Sequence, residues 1–247
     1  MIFKQLEKHR QAVIEYGIPE NQILGIFLYG SQNYNCATVN SDVDSKAIIV
    51  PTYHDLCCGS PVIKELHLNN GEHCEIKDIR EMVKMWRKQN INFLEIFYTK
   101  YCLINPIYRD IWKSQFIYNR EIICQYDIAY AVKSVVGQAL HTIKQNPNDN
   151  KKLANGWRLN IFLKNLYAGI NYGDCITLSE KDRQHFILLK NGSIQISADK
   201  LLDDIVLNGN KVLQNIDNNS LYDKEFIDEK IFNQGIINLC RALEFIG

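Results

Sequence analysis

The chain has 247 residues, sets 28 lysines and arginines against 28 aspartates and glutamates, and is 46% hydrophobic and 23% charged. Such a composition excludes extensive disorder, and a formal net charge of +0 excludes a broad, sequence-independent grip on nucleic acid while leaving room for a local basic groove. No apolar run reaches the length of a bilayer span, and MIFKQLEKHR at the N-terminus is amphipathic and charged, without the apolar core of a signal peptide. The eight cysteines form no Cys-x-x-Cys pair, so a zinc site or disulfide framework is not expected; they read as buried thiols in a reducing cytoplasm.

A helix is predicted over residues 3–17, then an apolar strand over 23–29 that ends at Gly30-Ser31. A polar loop leads to a second strand, 42–50, which carries Asp42 and Asp44 at its start. Strand alternation would project both carboxylates from one face. Two adjacent acids repel unless a cation lies between them, and hard oxygen ligands suit Mg²⁺. Lys46 shares that face by alternation, so a salt bridge from it to the aspartates is the rival to a metal.

A third strand is predicted over 72–78 (EHCEIKD). Asp78 stands three residues before Glu81 and just before apolar Met82, Val83 and Trp86, which is the pattern of a helix N-cap with a capping box. The segment also offers Glu72 and Glu75, and Lys77 would face the same way as Glu75, either to offset the acids or to contact a phosphate or an acceptor. Helices are expected near 79–88 and 92–99, a short strand or extended loop over 101–104, and a helix from Pro106 to Tyr118, with proline at the first helical position.

From Ile128 to Ile143 the apolar residues recur in steps of three, four and one, an amphipathic helix that the Asn-Pro-Asn-Asp-Asn turn at 146–150 ends. A second helix runs through Leu153, Trp157, Ile161, Phe162 and Leu166 to near Gly169. Three shorter ones are expected around 179–190, 198–208 and 223–245. Lys152 and Arg158, six residues apart, are expected on different sides of their helix, so that only one need face a cleft, and a solvated surface is expected for either. Arg80, Arg87 and Lys88 are expected as exposed helix charges. Tyr29, Tyr34 and Tyr53 flank the acids and are expected to pack more than to stack a base. The six histidines show no paired ligand spacing, and His73, the one near Glu75, is expected to pack.

The strand, the Gly30-Ser31 turn, Asp42-Val43-Asp44 on the next strand and an acid on a later one together resemble the nucleotidyltransferases of the DNA polymerase beta superfamily. The wider run GSQNYN…SDVDSKAIIVP is similar to a bacterial and phage branch that includes RNA-repair-associated members; the likeness covers the first half well and the second half loosely. It implies an α+β (α/β) fold, with a small mixed-sheet catalytic domain over 1–120 and an all-helical domain over 121–247 that closes the nucleotide cleft. It implies catalysis and metal binding by Asp42, Asp44 and Glu75, Mg²⁺ or Mn²⁺ as cofactor, and nucleotide binding by Gly30, Ser31 and Lys46. The implied reaction moves NMP, AMP from ATP above all, to a hydroxyl at an RNA 3′ end. A protein hydroxyl, as in toxin–antitoxin enzymes, a small-molecule acceptor and a non-catalytic NTP-binding module are the alternatives.

Overall fold

The computed structural model describes residues 2–38, 41–68, 71–216 and 223–245. The chain is α+β: a five-stranded mixed sheet of order β3-β4-β2-β1-β5 is flanked by helices. Helix α1 (Ile2–Glu15) leads into β1 (Ile23–Tyr29), whose run ILGIFLY is covered on both faces and so is almost continuously apolar. A register irregularity between Ile23 and Gly25 turns β1 so that Leu24 and Phe27 face one side of the sheet and Ile26 and Leu28 the other. Gly25 is needed there, because a Cβ would lie 2.8 Å from the carbonyl oxygen of Leu103.

Strand β2 (Asp44–Ile49) pairs antiparallel with β1; α2 (Tyr53–Cys57) and β3 (Ile63–His67) then lead to β4 (His73–Asp78), which lies parallel to β2. The acid-bearing strand thus starts at Asp44 and not at residue 42: Asp42 belongs to the loop before it. Strand β3 has no counterpart in the sequence reading. It is an edge strand with Ile63, Lys64, Glu65 and His67 exposed, so no core-facing alternation marks it.

Asp78 caps α3 (Ile79–Arg87), its side chain accepting from the backbone N–H of Arg80 at 2.8 Å. The reciprocal half of the expected box is missing, since Glu81 pairs with Lys84 instead. The chain continues through α4 (Ile91–Leu94), a tight turn at Glu95–Phe97, β5 (Cys102–Ile104), a turn opening at Pro106, α5 (Arg109–Ile111) with its π-helical extension Trp112–Ile117, and α6 (Arg120–Cys124). The helices that follow are α7 (Ile128–Gln145), α8 (Asn150–Tyr167), α9 (Tyr172–Ile176), α10 (Glu180–Lys190), α11 (Ala198–Asn215), α12 (Lys224–Phe226), a π-helical stretch Ile227–Asn233 and α13 (Gln234–Glu244).

One apolar cluster lies between the sheet and α1, built on Leu6, Val13, Ile26, Leu28, Ala47 and Ile76. On the other face Leu24, Phe27, Ile48 and Val50 join a larger cluster that reaches through Trp86, Trp112 and Phe162 to Leu243. Among the described residues no helix is long and apolar enough to cross a membrane.

Candidate active site

Asp44 opens β2 beside Tyr29 at the end of β1, and by alternation Lys46, Ile48 and Val50 share its face, the one turned to the helical half. Chain reversal after β1 depends on Gly30, whose φ of +84° suits glycine. The loop that follows is tied to the helical half: the amide of Leu178 donates to the Tyr34 carbonyl at 3.1 Å, and Asn35 Nδ2 donates to the Leu178 carbonyl at 3.3 Å.

These elements open onto a cleft of about 340 Å³. Gly30, Ser31, Asp42 and Asp44 contribute to one wall; α8 brings Lys151, Lys152 and Arg158, and α10 brings Lys190. Tyr29 and Tyr34 line it as well, whereas Tyr53 lies on α2, 66% exposed, and does not.

The Asp44 carboxylate accepts from the backbone N–H of His73 at 3.1 Å. Burial raises its pKa above the usual carboxylate range against that hydrogen bond, and the negative charge of Asp42 adds to the rise. Among the described residues neither aspartate is ion-paired to a lysine or arginine. Lys46, expected as their rival partner, is instead ion-paired to Glu75, which β4 sets opposite it.

Glu75 also pairs with Lys77 at 2.9 Å, as alternation along β4 requires. Burial works to raise the pKa of Glu75, but the two ammonium groups outweigh it and hold the value below the ordinary range. Lys46 is only 2% exposed, with Nζ 3.9 Å from the centre of the Tyr29 ring and 4.1 Å from that of Phe93, and it lies behind the cleft wall, not along it. Asp42 and Asp44 line the cleft, whereas Glu75 shares the sheet face of Asp44 without lining it; among the described residues the three are not drawn together as Glu65, His67 and His73 are, whose ligand atoms lie within 4.8 Å of one another.

Two residues differ from expectation: Arg158, expected in solvent, lines the cleft, and Glu95, not singled out, holds the Gly30 turn that lines it. Arg158 is 5% exposed, not solvated: its guanidinium lies 3.7 Å from the centre of the Tyr34 ring, and Nε and Nη1 have no hydrogen-bond partner. Lys152 lines the cleft too. Positions 151, 155 and 158 and positions 152, 156 and 159 form adjacent stripes of α8, so the cleft-facing surface is wide enough to take both side chains.

The second is Glu95, which is fully buried. It accepts from Tyr34 Oη at 2.6 Å, from the Gly30 amide at 3.0 Å and from Asn33 Nδ2 at 3.1 Å. Burial pushes its pKa up to about 7 against these three donors. The Gly30 N–H therefore points inward at Glu95, which fixes the turn and leaves Ser31 as the part of the Gly-Ser pair to face a ligand. A charged residue inside the apolar run Phe93-Leu94-Glu95-Ile96-Phe97 was the available signal.

Two other expectations need correction. Arg80 is held by Asp78, with Nε donating to Oδ1 at 3.0 Å, and Arg87 by Asp228 at 2.7 Å; of the three, Lys88, the C-cap of α3, is exposed. His73 does not pack in the core but meets Glu65, Nδ1 to Oε1, at 3.0 Å. Comparison of the sequence with family models and with curated proteins gives no match.

Proposed function

We propose that the chain is an Mg²⁺-dependent nucleotidyltransferase that moves a nucleoside monophosphate, AMP from ATP in the first instance, to a hydroxyl. The observation that carries this reading is Arg158: a buried guanidinium with two unpartnered nitrogens in a cleft that also holds Asp42 and Asp44. Burying such a cation without acceptors is costly, and a phosphate group would supply them. Carboxylates without a protein cation in the same cleft as cations without acceptors are the complement of a metal–triphosphate.

Asp42 and Asp44 supply hard oxygens facing the cleft, the ligand type that suits Mg²⁺; Glu75, held by Lys46 and Lys77 and outside the cleft lining, would join them only by exchanging one of those partners. When bound, Mg²⁺ would neutralise charge on the reacting phosphate and favour deprotonation of the attacking hydroxyl. The chain's own part is positional. Arg158, Lys151, Lys152 and Lys190 bind the phosphate oxygens, Ser31 donates to them, and Glu95 fixes the Gly30 turn that aims Ser31. The acceptor is assigned to an RNA 3′ hydroxyl on the resemblance noted above.

The test is incubation with each α-labelled NTP, Mg²⁺ and either total RNA or total protein. Label on RNA that disappears in Asp44→Asn and falls by ~10²–10³-fold in Arg158→Ala supports the proposal, the range being the usual loss on removing one charge-stabilising donor. Label on protein keeps the reaction and replaces the acceptor. No label with any NTP, together with undiminished NTP binding by Asp44→Asn, overturns transfer in favour of a binding module.

A further inference from the structure

The edge hairpin of the sheet carries a feature that nucleotidyl transfer does not use. His67 and His73 are direct cross-strand partners at the last pair of the β3–β4 ladder, their ring centres 4.5 Å apart. Glu65 lies two residues before His67, so the pleat puts it on the same face. Its Oε1 already meets His73 Nδ1 at 3.0 Å, and one ligand atom from each of the three residues falls within 4.8 Å of the others.

We propose that Glu65, His67 and His73 form a binding site for a borderline transition-metal dication, Zn²⁺ being the type case, separate from the carboxylates of the cleft. Ligand atoms about 2.0–2.1 Å from a tetrahedral zinc stand about 3.3 Å from one another. The Glu65–His73 contact is already near that separation. His67 has to swing inward, and its exposure on an edge strand leaves it free to do so.

Two imidazoles and one carboxylate select Zn²⁺, Ni²⁺ or Cu²⁺ over Mg²⁺, which takes oxygen ligands and keeps its water. Three protein ligands leave a fourth position for water or a ligand. The site is coupled by backbone to the cleft: the N–H of His73 is the group that donates to Asp44, and Glu75 is the next residue on the same face of β4. Metal at the hairpin would fix that donor.

Metal-free protein titrated with Co²⁺ and then Zn²⁺ tests this. The expected result is one ion per chain, with visible d–d absorption, no thiolate charge-transfer band, and displacement of Co²⁺ by Zn²⁺. His67→Gln, His73→Gln and Glu65→Gln should each weaken binding by at least the ~10–100-fold lost with an outer-shell partner. Asp42→Asn should bind as wild type does. Glu65 and His67 are exposed on the edge strand and His73 is half-buried on its neighbour, and unchanged far-UV circular dichroism confirms that each variant folds. A thiolate band, which would point to exposed Cys57 and Cys58, overturns the assignment. So does binding that survives both histidine substitutions, binding lost in Asp42→Asn, or no binding at all.

Discussion

Glu95 shows how one buried acid can organise a turn it does not belong to. Its carboxylate takes donors from Gly30, Asn33 and Tyr34, and the Tyr34 ring in turn lies under Arg158. Because burial raises the Glu95 pKa to about 7, the folded chain binds a proton there more tightly than the unfolded chain does. The stabilisation is full below the unfolded carboxylate value and is lost as pH rises toward 7. Glu95→Gln should remove this dependence: the stability of the wild type relative to the variant should grow as pH falls from about 7 to about 4.5, read from urea midpoints at each pH. Gln is an apt probe, since its carbonyl can accept from Gly30 and Asn33 while its amide donates to the Tyr34 oxygen. A difference in midpoint that stays flat with pH would place the Glu95 pKa at its ordinary value.

At the scale of elements, Asp78 separates the two acids between which the sequence left a choice. It is buried, caps α3 and holds Arg80 through both carboxylate oxygens, at 3.0 and 2.6 Å. Asp78→Ala should cost at least the upper end of the ~0.5–2 kcal/mol typical of a lost cap, because Arg80 is stranded as well. Transfer activity at a temperature where the variant is folded should persist. Activity lost in Asp78→Ala but retained in Glu75→Gln would exchange their roles.

Strong periodicity made most elements legible: β1 falls at the predicted 23–29, and α3, α7 and α8 lie close to their predicted bounds. Strand β3 was not legible, because an exposed edge needs no apolar alternation. The short helices α2, α6 and α9, of five residues each, carry too few turns to show a period. Pairing was less legible still. That Lys46 answers Glu75 and not the aspartates follows from the register of β2 on β4, which a one-dimensional reading does not fix. Arg158 looked like a solvated charge because its neighbour Tyr34 lies 124 residues away (158 − 34).

The whole molecule joins its halves through the sheet face that carries the acids. Trp86 of α3 packs against Phe97, Trp112 and Phe116 and also against Phe232 from the far end of the chain, with ring centres 4.9–6.3 Å apart. The loop after Gly30 is hydrogen-bonded to Leu178, and Arg87 is ion-paired with Asp228. A boundary near residue 120 therefore divides the chain by composition, while the core passes through it. If that continuity governs folding, thermal unfolding is one event. Fluorescence from Trp86 and Trp112, which are buried in the shared core, and far-UV circular dichroism, dominated by the helices, should give superimposable transitions. Phe232→Ala should shift both together, at a cost of about 3–5 kcal/mol as for other large aromatic truncations in a packed core. Two separated transitions, with Phe232→Ala moving only the helical signal, would mean that the cation-bearing helices fold as a unit of their own and that the cleft is assembled by docking.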